Sequence, residues 1–96
     1  MADEGERGAG AGSTVGIDVA KATLDVWVSP EERGWSVAND AGGIAGLVEQ
    51  LQARSVRLVV LEATGGYEYA VVAALSVAGL PTAVVNGDSR GSNARA

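Results

Sequence analysis

The sequence predicts an α/β domain on a mixed five-stranded sheet, in the order β-β-β-α-β-α-β. Three observations predict it. Between residues 14 and 38, short runs alternate apolar and polar side chains with the period of a strand. Two later segments carry apolar residues at i, i+3, i+4 and i+7 or close to it, the stripe of a helix. Each helical segment is followed by a short run rich in Val and Leu, so the last two strands are reached through helices and should lie parallel within the sheet.

In the first run, Val15, Ile17 and Val19 alternate with Gly16 and Asp18. A turn at 20–22 leads into 23–28, where Leu24, Val26 and Val28 share a face. Residues 30–34 read as a charged turn and 35–38 as a third strand; links this short favour antiparallel hairpins. Asp40 is a helix N-cap, and Ile44, Leu47, Val48 and Leu51 form the apolar stripe behind it. Gly42, Gly43 and Gly46 each weaken that helix by about 1 kcal/mol relative to Ala. Residues 58–61 are apolar without alternation, which suits a central strand covered on both faces. Thr64-Gly65-Gly66 is a turn. A second helix is expected from Tyr67 to Ala78, with Tyr67 covering the core, Gly79 in the left-handed C′ position and Pro81 preventing continuation. Residues 82–85 form the last strand. Residues 1–13, of Gly, Ala and charge, read as a disordered tail, and the polar, Gly-rich residues 87–96 as an irregular tail, around a domain at 14–86.

With 96 residues the chain forms one small domain, and without Phe its core must come from Val, Leu, Ile, Ala and two Trp. No apolar run approaches the roughly 18 residues of a membrane span, and no secretory signal is present, so a cytoplasmic location is expected. The absence of Cys and His excludes disulfides, thiolate sites, imidazole catalysis and His-bound zinc. Any metal must be held by oxygen. A net charge of -5 counts against a phosphate-tracking basic surface on this chain alone.

Asp18 stands out: strands are depleted in Asp, and a carboxylate among buried residues costs several kcal/mol unless compensated. Glu62 ends the fourth strand in the same way. Three hairpin strands followed by βαβ units, with Asp on the first strand and Glu on the fourth, form the layout of RNase H-like nucleases. The first and fourth strands are neighbours there, so Asp18 and Glu62 would meet at one edge. Two divalent ions roughly 3.5–4 Å apart can bind such a site, activating water and stabilising the leaving oxygen.

The segment Val15-Gly16-Ile17-Asp18-Val19-Ala20-Lys21-Ala22-Thr23-Leu24-Asp25-Val26 resembles the opening of bacterial insertion-sequence transposases with a RuvC-like DEDD domain. Asn39-Asp40 through Gly43-Ile44 and Leu47 resembles the segment before that family's first helix. Val59-Val60-Leu61-Glu62-Ala63-Thr64-Gly65-Gly66-Tyr67-Glu68 is similar to its most distinctive block, and Leu80-Pro81 to Val84-Val85-Asn86 to its next strand. The resemblance covers residues 14–86. It implies an RNase H-like (RuvC-like) fold, C-terminally incomplete, with Asp18 and Glu62 as catalytic residues and metal ligands for Mg²⁺ or Mn²⁺. It also implies that the complete protein cuts and rejoins DNA, as a homo-oligomer with a noncoding RNA partner. The family's third and fourth acids lie in a helix beyond the strand near Asn86, and its nucleophilic Ser in a separate domain. The tail from Gly87 departs from the family pattern, and Asp88 lies too close to the strand to replace a ligand. The chain is therefore expected to hold half of the acidic site and to be inactive alone.

Plainer readings stand beside these. Asp18 and Asp25 can be solvated strand residues, and Glu62 a carboxylate favoured near a helix N-terminus. Thr64-Gly65-Gly66 lacks the Lys and spacing of a P-loop, so a plain turn outranks a phosphate cradle. Lys21 can reach DNA phosphate or simply be exposed. Trp27 and Trp35 can stack on bases, but cross-strand hairpin packing is the stronger reading. Alternative functions are a sugar-kinase-like ATP-binding fragment, which also opens with Gly-Ile-Asp, a noncatalytic interaction module, or a decayed remnant.

Overall fold

The computed structural model describes residues 12–86. The strands are β1 (Ser13–Val19), β2 (Thr23–Ser29), β3 (Arg33–Ala38), β4 (Val56–Ala63) and β5 (Thr82–Asn86). Helix α1 (Ala41–Gln52) lies between β3 and β4, and α2 (Tyr69–Val77) between β4 and β5. The sheet order is β3-β2-β1-β4-β5. β1, β2 and β3 pair antiparallel, while β4 runs parallel to β1 and β5 parallel to β4. This is the expected β-β-β-α-β-α-β mixed sheet, with the first and fourth strands adjacent.

Alternation along the strands decides which face is buried. Val15, Ile17, Val26, Val28, Val59 and Leu61 turn to one side and are buried. Ile44, Leu47 and Leu51 of α1 and Val71 and Leu75 of α2 cover them. Asp40 caps α1 by accepting the Gly43 amide at 2.8 Å. α2 ends as expected: Gly79 takes φ 78°, and the Leu80 amide donates to the Leu75 carbonyl at 3.0 Å.

Several expectations need correction. Among the described residues, β4 is covered on one face only, where Val59 and Leu61 lie; Val60 on the other face is half-buried, with no described helix over it. β3 begins at Arg33, so the charged turn is shorter than expected. The strand pairing also takes in Ser13, placed above in the tail, and residues 1–11 and 87–96 of the expected tails lie outside the described residues. Tyr67 precedes α2, is about half exposed and does not cover the core. It lies in a turn at 67–68, between Gly65 and Gly66, which take positive φ, and the helix that starts at Tyr69.

Candidate active site

β1 and β4 pair in register up to Ile17 and Leu61, which face the core. The next residues, Asp18 and Glu62, therefore share the opposite, open face. Adjacent strands lie about 4.8 Å apart, so two carboxylates at one level can serve one cation. Both line a shallow hollow, with Gly16 and Val60 as its floor and Trp27 and Val85 on its sides. Asp25 joins them: it is the antiparallel register partner of Asp18, lines the same hollow and accepts a hydrogen bond from the Ser36 hydroxyl.

One premise fails here. Asp18 is exposed, because alternation turns it away from the core, so no burial penalty demands a counter-ion. Asp18, Asp25 and Glu62 line the same hollow, which makes its potential negative without closing three carboxylates around one point. The tryptophans sit on opposite faces. Trp27 lies across Gly34, where an added Cβ would come within 2.7 Å of its ring, and leaves half its surface at the hollow. Trp35 pairs with Val26 on the core side and carries the Arg54 guanidinium 5.5 Å from its ring centre.

Two residues that the pattern reading passed over hold the ends of the acid-bearing strands. The Asn39 side-chain amide donates to the Ala20 carbonyl at 2.8 Å and the Tyr67 carbonyl at 3.1 Å. It thus joins the loop after β1 to the loop after β4. Glu68 is buried, and its Oε1 accepts from the Thr64 amide at 2.9 Å, the Thr64 hydroxyl at 3.0 Å and the Gly66 amide at 3.1 Å. These bonds, the Thr64 amide foremost, hold its pKa down at about 2 against the opposing effect of burial. Three donors of the Thr64-Gly65-Gly66 turn, all but the Gly65 amide, are thereby engaged by the chain's own carboxylate. The phosphate-cradle alternative loses its donors, and the plain turn stands. Asn39 precedes an N-cap and Glu68 follows a Gly pair by two residues; those positions were the available signals.

A family model described as a transposase, of the DEDD type named for IS110, matches residues 15–94. The chain belongs to this DEDD transposase family. Among solved structures, T. thermophilus RuvC in complex with a Holliday junction substrate is similar over 78% of this chain and 64% of the RuvC chain, at 20% identity and a TM-score of 0.60. That likeness bears on the fold, which is RuvC-like and RNase H-like. This transposase-family chain thus spans less than two thirds of the RuvC chain. No curated protein matches it.

Among the described residues, no three His, Cys, Asp or Glu side chains converge closely enough to cage a metal ion. Asp18 and Glu62 nevertheless fit a hard divalent ion in donor type, and they line one hollow. Mg²⁺ is typically held by one or two carboxylates, with water and substrate phosphate completing the shell. Also among the described residues, no helix is long and apolar enough to cross a membrane.

Proposed function

We propose that this chain contributes Asp18 and Glu62 as the first two acidic ligands of a divalent-metal site for DNA strand cleavage and joining. The observation that carries the proposal is the pairing of β1 with β4, which sets both carboxylates one residue beyond Ile17 and Leu61 on the open face. Divalent metal use is general in DEDD transposases and RuvC-like nucleases, and the proposed ion is Mg²⁺, with Mn²⁺ as substitute. Bound there, it would neutralise phosphate charge and activate the attacking oxygen. Asp18 and Glu62 hold and orient it, Asp25 adds negative potential, and Asn39 fixes the two strand ends.

DNA is the proposed substrate, and the charge of the chain makes metal a condition of approach. At a net charge of -5, with three acids in the hollow, phosphate is repelled until a cation intervenes. The complete protein is proposed to act in the cytoplasm as an oligomer with a noncoding RNA. Among the described residues no third carboxylate completes a cage with Asp18 and Glu62, so metal binding by these two is expected to be weak. The sugar-kinase alternative gains no support: among the described residues, the Gly-rich turn beside the site has its Thr64 and Gly66 amides engaged by Glu68.

The test is a Mn²⁺ titration of the isotopically labelled chain, read as paramagnetic broadening of amide resonances. Broadening should centre on residues 16–18 and 60–62 and disappear in Asp18→Asn/Glu62→Gln. Broadening centred elsewhere, or unchanged by the double substitution, would remove both residues from the metal site.

A further inference from the structure

Trp27 is half exposed on the open face of the sheet, beside the hollow lined by Asp18, Asp25 and Glu62. It has a glycine on either side across the sheet. Its register partner on β3 is Gly34, and on β1 it is Gly16, whose own partner on β4 is Val60. The two glycines are used differently. The indole lies against Gly34, where an added Cβ would come within 2.7 Å of it; at Gly16 an added Cβ would meet nothing within 4 Å. A glycine inside a strand often marks the close approach of another group. Gly34 has that group in the indole. Among the described residues Gly16 has none, and a gap remains there between Trp27 and Val60.

This gap lies one step from the acids. Asp18 is the next residue on the same face of β1 after Gly16, and its partner Asp25 is the next on β2 before Trp27. Same-face neighbours on a strand are about 6.8 Å apart. That step is close to the span between a phosphate and its own base in a nucleotide. The lining changes character over the same step. Gly34, Gly16 and Val60 offer no hydrogen-bonding side chain, and Trp27 offers only its indole N–H. An exposed aromatic surface in such a setting holds a base by stacking and does not read its sequence.

We propose that Trp27 and the gap at Gly16 seat one unstacked base of a DNA strand, next to the phosphate held at Asp18 and Glu62. The phosphate's position rests on the metal-site reading above; the base gives the strand a second point of attachment and fixes the direction in which it lies. A base inside a duplex is already stacked on both faces and has no free surface to offer. The gap therefore selects a strand that is unpaired at this nucleotide. Stacking also supplies attraction where charge does not, since a chain of net charge -5 gains nothing from phosphate without a cation. Trp35 cannot serve in the same way, because it pairs with Val26 on the core side.

The test is an NMR titration of the isotopically labelled chain with a short single-stranded DNA oligonucleotide, with and without excess Mg²⁺. The two tryptophans give separate indole N–H signals. The Trp27 indole and the Gly16 amide should shift, and the Trp35 indole should not. Trp27→Ala and Gly16→Val should each weaken binding by about tenfold, and Trp27→Phe should retain most of it. Neither change touches an acid, and the room at Gly16 lets Gly16→Val keep the fold. The same strand without bases, and the matched duplex, should bind all four proteins alike and leave Trp27 unmoved. A Trp27 signal unmoved at every DNA concentration, an equal loss on the strand without bases, or contacts from residues 1–11 or 87–96 to the indole in the free chain would overturn the proposal. The metal reading fails separately. Trp27 shifts that need no Mg²⁺ would discard the metal site and keep the base slot; Mg²⁺-dependent binding with Trp27 unmoved would do the reverse.

Discussion

Protonating Glu68 removes an acceptor from three donors of the Thr64–Gly66 turn at once. Its pKa is lowered from the ordinary 4.5 to about 2, so the folded state prefers the charged form. The stabilisation is therefore fully present above 4.5 and is lost as pH falls toward 2. Other carboxylates titrate in the same window, and the informative quantity is the difference from Glu68→Gln, which keeps a carbonyl acceptor and carries no titrating group. Amide exchange should show protection at Thr64 and Gly66 falling across this window in the native chain and staying flat in the variant. Equal acid sensitivity in both proteins would mean that the turn is held by something other than this carboxylate.

At the scale of the element, α1 contains glycines that composition cannot tell apart. At Gly43 a Cβ would stand 2.0 Å from the Ala38 carbonyl oxygen, while at Gly46 it would meet nothing within 4 Å. Gly43→Ala should destabilise the chain by about 1–3 kcal/mol, as overpacking against fixed backbone does. Gly46→Ala should stabilise it by about 0.5–1 kcal/mol through helix propensity. Urea denaturation midpoints moving in opposite directions would bear this out; shifts of the same sign would refute the close approach of α1 to the end of β3. The contrast also shows where the sequence was readable. The strand period, the Asp40 cap and the Gly79 stop are local signals, and each element they define is present. The Gly43 contact joins α1 to β3, and the Glu68 clasp requires two positive-φ residues to fold the chain back; neither leaves a periodic mark. The common placement of Asp18 and Glu62 was legible only through the RNase H-like layout, in which the first and fourth strands are neighbours, because no local signal says whether β4 joins β1 or β3. The role of Asn39 was not, because the loops it joins lie 19 and 28 residues from it in sequence.

At the scale of the whole molecule, the described fold is a sheet packed on one side. Val59 and Val60 are consecutive on the central strand β4 and face opposite ways. Val59 is fully buried under the helices, and Val60 forms part of the floor of the acidic hollow. Val→Thr keeps the shape and adds a hydroxyl, so its cost reports whether that position meets water. Val59→Thr buries a hydroxyl among apolar side chains and should cost about 1–3 kcal/mol. Val60→Thr presents the hydroxyl to the open hollow and should stay within about 0.5 kcal/mol of the parent, as surface substitutions do. Thermal or urea unfolding of the two variants side by side measures the difference directly. A Val60→Thr cost equal to that of Val59→Thr would mean that the acidic face is covered in solution, closing the hollow to metal and to DNA phosphate alike. A wide gap between the two would leave Asp18 and Glu62 on the accessible side of a one-sided sheet, where a phosphodiester can reach them.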